Sequence, residues 1–270
     1  MFGYYREQII IPYDKPKILL DGEDAASTVI QHDEGGDVIN SSTFILSAQD
    51  FVARHVTFLN SYNLNSQAPW RAITWAPAAR LTEDRAAFCG CSFISVQDTL
   101  SDMGGRHYFE SCYIEGAVDF IWGAGQSIYQ NCRIKSNGAI SNVAYITAQG
   151  RERGSDTNGF VFKQCSVEGP KYQPMRKYRR TFLGRGYRNY SRVLFYNSYM
   201  SEIVARKGWE QWYGNRHTLC FSEADNSGPG SDMSKRITWM KKLSQQEINQ
   251  LTDVNTFINQ DGWLEKQPRI

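Results

Sequence analysis

Phe88-Cys89-Gly90-Cys91-Ser92-Phe93 is followed about twenty residues later by Phe109-Glu110-Ser111-Cys112-Tyr113-Ile114. Tyr129-Gln130-Asn131-Cys132-Arg133-Ile134 and Phe162-Lys163-Gln164-Cys165-Ser166-Val167 come next. Working outward, Ala53-Arg54-His55-Val56-Thr57-Phe58 precedes these four and Phe195-Tyr196-Asn197-Ser198-Tyr199-Met200 follows them. In each, an apolar residue leads to a small or branched one and then to another apolar residue. Six copies separated by roughly twenty to thirty-five residues describe coils that keep short strands and vary their loops. The pattern predicts an all-β chain wound as a right-handed, single-stranded parallel β-helix. Period-two alternation then turns Cys91 and Phe93 inward, with Cys112 and Ile114 beneath them in the next coil.

The repeat also accounts for most of the cysteines. Cys91, Cys112, Cys132 and Cys165 share one repeat position, so they are expected to stack inside the helix as small apolar side chains, with Val56 and Ser198 extending the column. Coils about 4.8 Å apart also permit a disulfide between stacked neighbours, so both states remain open. Cys89 and Cys220 fall outside the column. There is no C-x-x-C pair and no close His/Cys cluster, which argues against structural zinc, and no metal or cofactor is implied.

With 270 residues, 41% of them hydrophobic, the chain can bury a large core and is read as one domain over 1–270. A net charge of +2 gives no basic footprint for nucleic acid. The 13% aromatic content suits either a carbohydrate groove or the core. No apolar run reaches membrane-spanning length, and no signal peptide opens the chain. Ser244-Gln245-Gln246-Glu247 is a capping-box pattern ahead of Ile248, Leu251 and Val254. It predicts a short helix in a tail of about 240–270, packed on the solenoid or covering its end.

Two aspartates stand out against apolar and glycine neighbours: Asp98 in Ser95-Val96-Gln97-Asp98-Thr99-Leu100, and Asp119 in Gly116-Ala117-Val118-Asp119-Phe120-Ile121-Trp122-Gly123. An ionised carboxylate in such a strand context is costly unless it has a partner or a task. The bland alternative is a turn residue bonding its own backbone. Their separation matches the repeat interval, which puts them in neighbouring coils.

Around these residues the chain resembles the pectinesterases, the pectin methylesterase family of carbohydrate esterases. Gln97-Asp98-Thr99-Leu100, Val118-Asp119-Phe120-Ile121-Trp122-Gly123, Tyr145-Ile146-Thr147-Ala148-Gln149-Gly150-Arg151 and Leu183-Gly184-Arg185-Gly186-Tyr187 resemble four family motifs in order and at similar separations. Weaker echoes are Gly3-Tyr4-Tyr5-Arg6-Glu7, Gly208-Trp209 and Gly228-Pro229-Gly230-Ser231. The resemblance runs from about Gly3 to about Trp263 and looks plant-type. It implies a parallel β-helix with an open groove that removes methyl esters from pectin (methylated homogalacturonan), acting as a secreted cell-wall hydrolase and monomer that a proteinaceous inhibitor can block. By resemblance Asp119 is the nucleophile, Asp98 the general acid and then base, Gln97 an oxyanion donor and Arg185 the partner that orients Asp119. Tyr187, Trp75, Trp209 and Phe120 are the expected substrate contacts.

Three departures qualify the match. Many members carry a second oxyanion glutamine about twenty residues before the Gln-Asp pair, where this chain has Trp75. Gly186-Tyr187 replaces a common proline and tryptophan. Members usually begin with about one more coil before the equivalent of Gly3, and its absence predicts exposed strand edges and lower stability. Trp75 and the short start motivate an alternative, a catalytically impaired pectin-binding homologue. A Ser-His-Asp esterase is disfavoured because no G-x-S-x-G occurs. A polysaccharide lyase or polygalacturonase shares fold and substrate, but would want acidic calcium ligands or carboxylates flanking a glycosidic bond.

Overall fold

At seven successive corners the backbone turns through one residue held at positive φ: His55, Gly90, Ser111, Asn131, Gln164, Asn197 and Asp225. Their φ values lie between 47 and 60°, a region that costs an L-residue least when it is glycine or a short polar side chain. The turn redirects each strand so that the next one starts on a new face. In a computed structural model describing residues 3–64, 73–137, 143–170 and 181–268, the outcome is three parallel sheets of eight strands each. One coil is typical: Ser92–Ile94 lies in the first sheet, Leu100–Asp102 in the second and Arg106–Glu110 in the third. Each strand pairs with its counterpart one coil earlier and one coil later, as in Phe58, Phe93 and Ile114. This is the expected β-helix, with eight coils where the repeat had revealed six. The additional coils were invisible because Leu19–Asp21, in the first coil, has no positive-φ corner after it, and the last corner, Asp225, is followed by polar residues.

Inside the coils two columns fill the core. The first residue of five of the six quoted segments builds an aromatic stack through Phe88, Phe109, Tyr129, Phe162 and Phe195, with centroids 4.4–5.2 Å apart and planes within 10°. Three residues further on come the fully buried Val56, Cys91, Cys112, Cys132, Cys165 and Ser198. All four column thiols are free, as are Cys89 and Cys220, so the stacked cysteines are core thiols and not disulfides. Cys112 and Cys165 donate to the carbonyls of Phe88 and Tyr129 at 3.3 and 3.2 Å. Burial pushes the column thiols of Cys91, Cys112 and Cys132 well above their ordinary pKa, so they stay protonated and inert.

A buried polar cluster centred on His107 lies within the coils. His107 donates Nδ1–H to Asp102 Oδ1 at 2.6 Å and Nε2–H to the Glu83 carbonyl at 2.7 Å, while Tyr129 donates its hydroxyl to Asp102 Oδ2 at 2.7 Å. Both ring nitrogens face acceptors, so the imidazole carries two protons and its charge is neutralised by Asp102. Burial pulls the His107 pKa down, but Asp102 and the Glu83 carbonyl outweigh it and the net shift is upward.

The helix Gln245–Thr252 forms with both halves of the predicted capping box, the Ser244 side chain accepting from Glu247 N–H and Glu247 reaching back to the Ser244 backbone. A second short helix, Val254–Phe257, follows. Leu251, Phe257, Ile258 and Trp263 pack on the outer face of the third sheet against Val52, Ala87, Ile128, Val161 and Leu194. That sheet is covered by the tail, leaving the outer face of the second sheet open for a site.

Candidate active site

The corner from the first to the second sheet carries Asp98 in one coil and Asp119 in the next. Both are held at positive φ, 60 and 47°, in spite of bearing a Cβ. Register fixes their relation, since Gln97 bridges to Val118 and Asp98 N–H donates to the Val118 carbonyl at 3.0 Å. Their positive φ is the left-handed corner conformation that the chain also uses at its other turns, and aspartate tolerates it better than most side chains. The same column continues through Tyr145, which precedes the strand partner of Ile121, and Phe182, which pairs with Tyr145.

Arg185 reaches back across this column. Its Nε and Nη2 donate to Asp119 Oδ1 and Oδ2 at 2.8 and 2.6 Å, a bidentate fork on a buried carboxylate. The guanidinium lies between two rings, 4.1 Å from the Tyr145 centroid and 3.8 Å from the Trp212 centroid. Burial raises the Asp119 pKa, and the fork from Arg185 opposes that rise. Asp98 is equally buried, without such a partner; burial and the neighbouring Asp119 charge push it well above the ordinary carboxylate range. Two adjacent carboxylates therefore have environments that separate their proton affinities.

These groups share a cleft of about 330 Å³ lined by Gln97, Asp98, Asp119, Arg185, Tyr187 and Trp75. Trp75, 49% exposed, lines it with Val38, and Tyr187 lines it in ring contact with Trp212 and Trp122. Six of the eight sequence candidates thus meet in one place. Phe120 and Trp209 do not, and their assignment as sugar contacts is corrected here. Phe120 is fully buried because it alternates with Asp119 and points into the coil. Trp209 stacks on Phe221 at 4.5 Å and donates Nε1–H to Glu223 Oε1 at 2.9 Å, where Glu223 is itself locked by Arg236. Its burial leaves no face for a ligand. The sequence reading missed Trp212, Trp122 and Tyr145, although the last two stood inside quoted motifs.

A family model described as Pectinesterase matches residues 1–261. The chain belongs to the pectinesterase family. Among curated relatives, "Probable pectinesterase 29" of Arabidopsis thaliana is 43% identical over 98% of this chain and 79% of its own length. "Probable pectinesterase 55" of the same plant is 42% identical over 98% and 80%. Among solved structures, the pectin methylesterase from carrot superposes with a TM-score of 0.88 at 29% identity, covering 98% of this chain and 84% of the carrot chain. The Aspergillus niger enzyme gives 0.81 at 28% identity, covering 99% and 85%. As a pectinesterase the chain is an ester hydrolase on a parallel β-helix, and its cleft holds carboxylates instead of a serine-histidine pair.

Proposed function

We propose that this pectinesterase removes methyl esters from methylated homogalacturonan, releasing methanol and pectate, with Asp119 as nucleophile and Asp98 as acid and base. The observation that carries the assignment is the asymmetry of the two buried carboxylates: Arg185 forks onto Asp119 and leaves Asp98 uncompensated. An ionised Asp119 oxygen attacks the C6 carbonyl of a methylated galacturonate. The oxyanion that forms accepts a hydrogen bond from the Gln97 side-chain amide, which lines the cleft. Collapse breaks the C–OCH₃ bond as the Asp98 proton passes to the departing methoxide. Asp98, now a carboxylate, takes a proton from water, whose oxygen attacks the acyl-enzyme and frees Asp119. Tyr187 offers an aromatic face to the sugar. The chain acts as a single β-helix unit and a monomer on pectin of the plant cell wall, with a proteinaceous pectinesterase inhibitor as a further partner.

The test is methanol release from highly methylated pectin by folded protein, and absence of release would leave a pectin-binding homologue. That second reading is favoured by Trp75, whose ring occupies the cleft wall. Trp75→Gln adds an amide donor there and is expected to raise kcat, by up to about 10²-fold if it completes the oxyanion hole. A fall in kcat with a raised KM would instead assign the indole to holding the sugar.

The pH dependence follows from the same pair. Asp119 must be ionised and Asp98 protonated, and both are shifted upward, Asp98 further. The rate is expected to rise as Asp119 loses its proton and to fall as Asp98 loses its own, giving a bell whose limbs belong to the coupled pair. A kcat/KM profile that climbs without a falling limb into the alkaline range would exclude Asp98 as the acid.

A further inference from the structure

Arg185 performs its task only while its fork stays flat against Asp119, and the structure surrounds it with more than the task of binding pectin explains. The guanidinium plane has a ring on each face, Tyr145 at 4.1 Å and Trp212 at 3.8 Å. Tyr145 is itself fixed. It stacks on Phe182 with centroids 5.4 Å apart and planes 15° from parallel, and its hydroxyl donates to Glu210. Glu210 is the strand partner of Arg185, so the carboxylate that anchors the ring comes from the same ladder position as the guanidinium it clamps. Burial and Glu210 both push the Tyr145 phenol up, which keeps it a hydrogen-bond donor. A guanidinium stacked parallel to a ring keeps its N–H edge free for the in-plane fork onto Asp119, whereas a rotated one would turn those donors away from the carboxylate.

We propose that Tyr145 is a positioning residue for the esterase reaction: with Trp212 it sandwiches Arg185 so that both donors stay on Asp119 throughout turnover, and Glu210 tethers the ring in place. The proposal rests on the assignment of Asp119 as nucleophile. Four groups face that carboxylate: Asp98 from the preceding coil, Tyr145 from the following one, Arg185, and Glu210 beyond it. Only Arg185 favours its ionised form. Loosening the clamp therefore weakens the one interaction that opposes burial, and Asp119 holds its proton to higher pH.

The variants are Tyr145→Leu, which keeps an apolar side chain on the strand without a π face, and Tyr145→Phe, which keeps the ring. Tyr145→Leu is expected to lower kcat about tenfold with KM little changed, and to move the acid limb of the pH profile upward. Tyr145→Phe, which keeps the ring but gives up the hydroxyl tether to Glu210, should fall between wild type and Tyr145→Leu in both activity and acid limb. Trp212→Leu, which removes the opposite face, should displace the limb in the same direction and serves if Tyr145→Leu does not fold, as judged by its denaturation midpoint. An acid limb unmoved in the folded leucine variant, or an equal loss in Tyr145→Phe, overturns the clamp. Wild-type activity that disappears in Asp119→Asn keeps the underlying assignment intact in either event, whereas an active Asp119→Asn removes the assignment itself.

Discussion

Asp119→Asn is expected to abolish methanol release, a loss on the order of 10⁴-fold or more, while pectin is still bound. The reason is chemical and local. Asparagine fills the same volume at the same positive-φ corner, and its amide oxygen can still accept one donor from Arg185, so the coil and the cleft keep their shape. What disappears is the anionic oxygen able to form the acyl-enzyme. Because Asp98 and Gln97 remain, any residual rate would measure what an acid and an oxyanion donor achieve without a nucleophile. Binding to methylated pectin is measured on the same protein by affinity electrophoresis. Undiminished turnover in the variant would refute the mechanism, and loss of both binding and turnover would point to a collapsed cleft.

The second large effect concerns stability. His107→Ala leaves Asp102 charged, fully buried and deprived of its counter-charge, which is expected to cost about 3–5 kcal/mol. Denaturant midpoints at pH 6 provide the measurement, and a loss below about 1 kcal/mol would mean that Asp102 is satisfied without the imidazolium. The pH dependence has a definite sign. Since the His107 pKa is raised in the folded protein, its contribution is complete below the unfolded value of about 6.5 and is lost as pH climbs through the folded value. The gap between wild type and variant should therefore narrow in alkali. Activity is a separate readout, because His107 lies in the coil interior and not in the cleft.

The β-helix was legible because five successive coils repeat one aromatic residue and one small residue on either side of a left-handed corner, so a single stretch such as Phe88–Phe93 could be matched down the chain. The two catalytic candidates were legible for a related reason, as charged residues recurring at the coil interval in apolar surroundings. Phe120 and Trp209 were misread because proximity in a motif says nothing about which way a strand residue faces. Alternation from Asp119 would have turned Phe120 inward. Tyr145 and Trp212 escaped notice because their roles depend on a cation delivered from another coil, a contact that no local pattern encodes. The His107 cluster was equally silent, since its partners Asp102, Glu83 and Tyr129 come from three places in the sequence.

The positions of Asp98 and Asp119 in adjacent coils, joined by Gln97–Val118 pairing and the Asp98 to Val118 hydrogen bond, have a geometric meaning beyond burial. The separation of acid and nucleophile is set by the rise of one coil, about 4.8 Å, so the backbone ladder serves as the ruler of the reaction. Chain can be added or deleted in the connections on either side without altering that interval. The reshaping of the polymer's seat and the spacing of the chemistry are thus governed by different parts of the molecule, and one can vary while the other stays fixed.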